Sequence, residues 1–490
     1  MIRRRALATL LALAAIAIAL AGCGGSNSAK SALDDALGYM PKGTLIVIVV
    51  KTDFGDQQYK NLNSLLDRFP FVGALKNQLK NRITFGARHI PYSEIKPLLG
   101  NDIVVGLTTA GGHQHGIVIA WKTKDAGKAK SLLSQGAHEI GTSHGATLYQ
   151  GPGTLVDALE GPIVIAAKTR ALVEAALAER GQSDRLTQSR FESALTGLPG
   201  DAIVRVYGDV QKLLASRPQA LGALRVPWIA AVHTFGATAT AATDGIALDF
   251  RAPTQGVSAD QLPLAAGSAS PAVVRRPGEI AIGLRDPGQT ARFAEQALLA
   301  ATPGAALAKT AASQTLGVDL DRDVIGQLGA SSAYSLGLDG TFVGRVDLKN
   351  PGAFKKTLAK LAKNLPKIGK LVGASVLPKV KAGPKGFYQV TTKRLKLFVG
   401  VVAKELVVAS DPARAKQFAT QAATPMAGVH GAVVAIADPR SIVQKLIGNR
   451  AGAFRGLLGA FLAPLKDLRG WVDAEPSGLT GHLKLTIAGP

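Results

Sequence analysis

The 490-residue chain has one cysteine, three methionines, three tryptophans and only 5% aromatic residues. A single cysteine excludes a disulfide framework and every metal site built on several thiolates. Sparse, unclustered aromatics exclude the stacking platforms that hold single-stranded nucleic acid or sugar, so nucleic acid is not expected as a partner. Acidic residues are also short, 34 against 57 Lys+Arg, for a formal charge of +23. Beyond the first thirty residues no apolar run is long enough to span a bilayer, which excludes a polytopic membrane protein. A composition of 47% hydrophobic and 19% charged residues excludes a disordered chain. At about 150 residues per domain, the length predicts two to four domains.

Catalytic motifs are equally scarce, with no phosphate-cradling glycine loop, H-E-x-x-H or C-x-x-C. Gly141-Thr142-Ser143-His144-Gly145 has the spacing of a nucleophile elbow. That elbow needs a helix after the serine, whereas Ala146 to Gln150 reads as a strand, so a hairpin turn is expected. Ser93-Glu94-Ile95-Lys96 matches S-x-x-K, but no K-T-G follows, and a helix N-terminus explains it. His113 and His115 point the same way if extended, and His138 and His144 follow shortly after. A metal site would need a third ligand and orienting partners, so solvated turn histidines are the simpler expectation. Asp319, Asp321 and Asp323 open like a calcium loop. Val324 stands where that loop needs glycine and Ala330 where it needs glutamate, so carboxylates at a helix N-terminus are expected instead. No catalytic residue, metal ligand or cofactor is assigned, and the chain reads as a non-enzymatic binding protein. The alternative is an envelope hydrolase using Ser143 or a histidine-based metal site.

What is present begins with an address. Arg3, Arg4 and Arg5 precede an apolar stretch, Leu7 to Leu20, broken only by Thr9. Leu20-Ala21-Gly22 then leads into Cys23, the layout of a secretory signal ending in a bacterial lipobox. Residues 1–22 are expected to be removed. The Cys23 thiol takes a diacylglyceryl thioether, and its freed amine takes a further acyl chain such as palmitate. Two or three chains, at about 0.8 kcal/mol per buried methylene, hold a protein on a membrane. The expected location is the cell envelope, on the outer leaflet of the cell membrane or on an outer membrane. Residues 23–35 read as a flexible tether.

The body is written twice. Residues 36–251 run through a strand at Thr44 to Val50, a β-pair at Asp102 to Leu107 and Gly116 to Trp121, and a helix from Asp125 to Gln135. Strands at Pro162 to Ala167 and Ala202 to Tyr207 follow, then a hairpin turning through Asp244-Gly245. After a linker at 252–277, residues 278–490 repeat the order. Gln327-Leu328-Gly329 answers Leu98-Leu99-Gly100, and Phe387-Tyr388-Gln389 answers Leu148-Tyr149-Gln150. The expectation is an α+β fold of two tandem, internally duplicated domains with largely antiparallel sheets and packed helices.

That layout, with the lipobox and the Tyr39-Met40-Pro41 start, resembles the envelope proteins grouped as domain of unknown function 3352. The resemblance covers most of the chain after the tether. It implies the same α+β organisation and an envelope location, and it brings no activity or site residues.

The charge is local. Without residues 1–22 the net charge is +20, and residues 341–400 hold +13 of it. The matching stretch of the first copy, 111–170, holds +2. Within the basic block Phe354, Leu358, Leu361, Leu365 and Ile368 share about 80° of a helix. Lys355, Lys356, Lys360, Lys363, Lys367 and Lys370 take the other side. Pro366 is expected to end or kink the helix near Leu365. The apolar stripe is expected to pack on the sheet and leave the lysines to meet an anionic lipid surface or an anionic wall polymer.

Overall fold

The computed structural model describes residues 29–70, 72–73, 83–85, 88–90, 92–109, 116–151, 154–371, 379–392, 395–447 and 455–489. The signal, the lipobox with Cys23, and the His113–His115 pair lie outside them. The chain divides into two compact units. Unit 1 comprises residues up to 216, 233–252 and 487–490, and unit 2 comprises 217–232 and 253–486.

In unit 1 the strands are β1 (Thr44–Val50), the small hairpin β2 (Ile83–Phe85) and β3 (Arg88–Ile90), β4 (Ile103–Thr108), β5 (Gly116–Lys122) and β6 (His138–Ser143). Then come β7 (Ala146–Gln150), β8 (Val156–Glu160), β9 (Ile163–Ala167), β10 (Val204–Asp209), β11 (Thr234–Ala242) and β12 (Gly245–Pro253). Apart from the small hairpin they form one antiparallel sheet in the order β6-β7-β8-β9-β5-β4-β1-β10-β11-β12. β1 is Thr-Leu-Ile-Val-Ile-Val-Val, rich in the β-branched residues that suit a central strand.

One face of this sheet carries Val47, Val104, Val118, Leu148, Val156 and Ile165. It is covered by α1 (Ala29–Leu37), α4 (Arg170–Glu179) and α5 (Gln188–Ala194) through Leu33, Leu37, Val173, Leu177 and Phe191. The opposite face carries Trp121, Leu159 and Val164, packed against Ala129 and Leu132 of α3 (Ala126–Gly136). α2 (Gln57–Leu66) and α6 (Val210–Ala215) complete the unit. Short polar side chains start these helices. Asp56, Asp125, Thr169, Thr187 and Asp209 each accept a first-turn backbone N–H.

Unit 2 repeats the connectivity. Its strands are β13 (Glu279–Arg285), β14 (Leu328–Gly337), β15 (Phe342–Leu348), β16 (Lys379–Ala382) and β17 (Tyr388–Thr391). β18 (Lys396–Val402), β19 (Glu405–Ala409), β20 (Val433–Ala437), β21 (Leu465–Glu475) and β22 (Gly478–Ile487) follow. Their antiparallel order is β16-β17-β18-β19-β15-β14-β13-β20-β21-β22, strand for strand that of unit 1. Its helices include α7 (Pro287–Ala301), α8 (Ala305–Leu316), α9 (Pro351–Leu371), α10 (Pro412–Thr420) and α11 (Pro439–Ile447). α10 buries Ala415 and Phe418 on one sheet face with Phe387, Phe398 and Val407. α9 buries Phe354 and Leu358 on the other with Tyr388, Val399 and Leu406. The fold is therefore α+β with antiparallel sheets and helices packed on them.

Three expectations change. Residues 252–277 are no free linker, because Leu262, Val273 and Val274 are buried, and Arg285 donates to the Ala265 and Ala269 carbonyls. Residues 217–232 belong to unit 2 rather than to the first copy, since Trp228 packs edge-on against Phe293 at 6.1 Å and joins the Leu262 cluster. Pro366 sits inside α9, which continues to Leu371. A proline removes one ladder hydrogen bond. Ahead of the proline the helix is held by Phe354, Leu358 and the Asn364 side chain, whose amide donates to the Leu316 carbonyl at 3.0 Å.

Asp157 stands opposite Tyr149 in the β7–β8 register. Burial pushes its carboxyl up to about 6. The folded state therefore holds this proton more tightly than the unfolded chain. Stability is full below about pH 4 and falls as pH rises through about 6. Asp157→Asn is expected to raise stability at neutral pH by about 1–2 kcal/mol and to change nothing near pH 4. Urea melts of both forms at the two pH values measure it.

Candidate functional site

α9 is started by Asn350, whose side chain accepts the Ala353 N–H at 2.9 Å, with Pro351 in the first turn. Its inward stripe grades from buried Phe354 and Leu358 to half-buried Leu361 and Leu365. Lys355, Lys356, Lys360, Lys363 and Lys367 are all exposed on the outward side. The side chains of Ile368 and Lys370 lie outside the described residues. Beside this face the Arg322 hydrogen bond holds the exposed Asp323 carboxyl below its usual range, and Lys360 adds to the effect.

Other described residues of the basic block lie elsewhere. Lys379 and Lys381 of β16 stand opposite Thr391 and Gln389, and Lys396 of β18 stands opposite Thr391. These three share the sheet face of Phe398, which α10 covers, so they lie on the opposite side from α9. Arg345 is turned inward and makes no surface charge.

The remaining sequence candidates resolve into local structure. Ser143 ends β6, and His144 and Gly145, at φ of 50° and 84°, form a two-residue hairpin turn into β7. Positive φ at both positions is the turn geometry that hairpin twist favours, and it places no helix after the serine. Ser143 Oγ and His144 Nδ1 are 3.0 Å apart on the exposed turn. Asp319 accepts the Arg322 N–H, Asp321 pairs with Lys309 at 2.7 Å, and Asp323 pairs with Arg322 at 2.8 Å. Among the described residues no group of three or more His, Cys, Asp or Glu is placed to hold a metal ion. Nor is any described helix long and apolar enough to cross a membrane.

Sequence reasoning missed a polar cavity of about 240 Å³ in unit 1. It opens where the Tyr39-Met40-Pro41 segment turns into β1. Its floor is Met40, Thr44, Val47 and Tyr207, all buried. Lys42 and Asp184 pair across its mouth at 2.7 Å while remaining largely exposed. Lys212 donates to the Lys42 carbonyl at 2.8 Å. Inside stands Glu179, the last residue of α4, 8% exposed, accepting the Lys42 backbone N–H at 3.1 Å. Burial raises the Glu179 carboxyl above its usual range. The buried Thr44 hydroxyl has no hydrogen-bond partner. The one available signal was a glutamate on the otherwise apolar buried side of α4, beside Leu172, Val173, Ala176 and Leu177.

No family model matches the chain, and no curated protein matches it. Among solved structures, crystal form III of TP0453 is similar at 12% identity and a TM-score of 0.26, over 46% of this chain and 81% of that chain. Crystal form I of TP0453 is similar at 14% identity and a TM-score of 0.27, over 46% of this chain and 80% of that chain.

Proposed function

We propose that the chain is an exported envelope lipoprotein of the domain-of-unknown-function-3352 type, anchored through Cys23, that works by binding rather than by catalysis. The lysine face of α9 then meets the anionic surface of the membrane that carries the anchor. The observation that supports this most is the division of labour along α9. Phe354 and Leu358 hold the helix down on the sheet while five lysines are exposed on its outer side. A folded helix that presents ammonium groups in this way gains about 1 kcal/mol per charge near anionic lipid. The lysines come from the second copy alone, since α3 of unit 1 presents only Lys128 and Lys130.

Two measurements test the reading. Cys23→Ser is expected to abolish palmitate labelling of the full chain and release it from the membrane fraction, because no thiol remains to carry the thioether. Persistent labelling would overturn the anchor. The soluble fragment 24–490 is expected to sediment with vesicles containing anionic lipid and not with neutral ones. Binding only to an anionic wall polymer would move the docking surface from lipid to wall.

A further inference from the structure

The cavity beside β1 has polar groups that the protein itself does not satisfy. Its charged side chains fall into pairs. Lys42 faces Asp184 at 2.7 Å, and Lys212 and Arg190 approach Asp209 at 3.7 and 3.9 Å. Glu179 makes no direct ion pair among the described residues, although the nearby Lys42 and Lys212 ammonium groups partly offset the rise that burial causes in its carboxyl. Its described hydrogen bond is with a backbone N–H, and no described cationic side chain lies within ion-pair distance of it. A buried carboxylate in that position is costly unless a donor reaches it. At the start of β1 the Thr44 hydroxyl is buried and unpartnered.

The corresponding position in unit 2 carries an amide instead. Glu179 lies ten residues past the N-cap Thr169 of α4, and Gln421 lies ten residues past the N-cap Asp411 of α10. The Gln421 side-chain amide donates to the Arg275 carbonyl at 3.0 Å, and the Gln421 backbone carbonyl accepts from Arg345. At that position the side chain is a neutral amide whose NH2 is held by the protein's own backbone. Unit 1 replaces the amide with a carboxylate and leaves a cavity in front of it.

We infer that this cavity binds a small zwitterion of the amino-acid class. Its ammonium meets Glu179 and the Thr44 hydroxyl, its carboxylate meets Lys42 at the mouth, and a short apolar side chain lies on Met40 and Val47. The size supports this, since 240 Å³ is below the range of about 300–1,000 Å³ typical of drug-sized sites and suits a single amino acid. The charge supports it as well. A simple amine would pass the cations at the mouth unfavourably, and a simple acid would meet Glu179. Only a ligand carrying both charges fits both ends. The exposed Lys42–Asp184 pair is weak by comparison, so Lys42 can exchange Asp184 for a ligand carboxylate at small cost.

The test is calorimetric titration of the purified full chain in detergent with glycine, L-alanine, L-valine and L-leucine. Isopentylamine and isovalerate serve as single-charge controls. At least one amino acid is expected to bind, with each control about tenfold weaker or worse. Glu179→Gln keeps the shape, removes the charge and is expected to weaken binding about ten- to a hundredfold. Lys42→Ala, at the exposed rim where folding is not at stake, is expected to weaken the amino acid and to leave isopentylamine no weaker, since a repelling cation is gone. Failure of all four amino acids to bind would overturn the proposal. So would amino-acid binding that ignores both substitutions, or isopentylamine binding as tightly as L-leucine. None of these outcomes depends on the lysine face of unit 2.

Discussion

Replacing Lys356, Lys360 and Lys363 by glutamine is expected to lower partitioning of fragment 24–490 onto anionic vesicles about a hundredfold. Three ammonium groups at about 1 kcal/mol each give that factor. The three lie on the outward side of α9, and each is exposed. Their removal touches no packed atom of the Phe354–Leu358 cluster, so the melting temperature should stay within about a degree or two. The attraction is screened over about 8 Å at physiological salt and about 3 Å at 1 M, so high salt should erase the difference between the two forms. Neutral vesicles should not distinguish them. The matched control is Lys128→Gln with Lys130→Gln in α3, the helix at the corresponding place in unit 1. It should leave partitioning almost unchanged. Equal losses from α3 and α9 would mean that net charge, not the α9 face, governs binding.

Much of the fold was legible because strands in this chain carry strong local signals. Thr44 to Val50 is a strand with the limits read from its residues, and the Asp244-Gly245 hairpin forms where it was read. β-branched runs bounded by proline, glycine or an Asp-Gly turn leave little room for another reading. The turn at His144-Gly145 was legible for the same reason, since the strand after it was. The Ala-, Pro- and Ser-rich stretch 252–277 was misread because composition reports flexibility only when nothing buries the chain. Here Leu262 and Val273 are buried against residues far away in sequence. Pro366 misled in the opposite direction, because α9 continues through one missing hydrogen bond after a stretch anchored by Phe354, Leu358 and Asn364. The cavity was hardest to see. Met40, Glu179 and Tyr207 converge from three separate segments, and no spacing rule joins them. The lysine face needed only the period of a single helix.

Arg345 shows why a count of positive charges overstates a surface, and it carries the largest stability effect expected here. It belongs to the basic block by sequence, yet its side chain is only 12% exposed. Its guanidinium donates to the carbonyls of Phe418, Ala419 and Gln421 at 2.9–3.1 Å, closing the C-terminal end of α10. It also stands 5.7 Å over the Phe418 ring and 3.4 Å from Glu405. Burial raises the Glu405 carboxyl, and Arg345 is the cation that opposes the rise. Arg345→Met keeps most of the volume but leaves a half-buried carboxylate without its cation and a helix end without its donors. Loss of one partner of such a pair costs about 3–5 kcal/mol. Arg345→Lys should recover little, because one ammonium cannot reach three carbonyls and a carboxylate together. Adding Glu405→Gln to Arg345→Met should return about 1–2 kcal/mol, since the stranded charge is then gone. Denaturant melts of the four forms give the coupling directly. An additive cycle would show that Arg345 stabilises unit 2 through the α10 carbonyls alone. A large favourable coupling would show that the ion pair is what keeps this one basic residue inside the fold while its neighbours on α9 face outward.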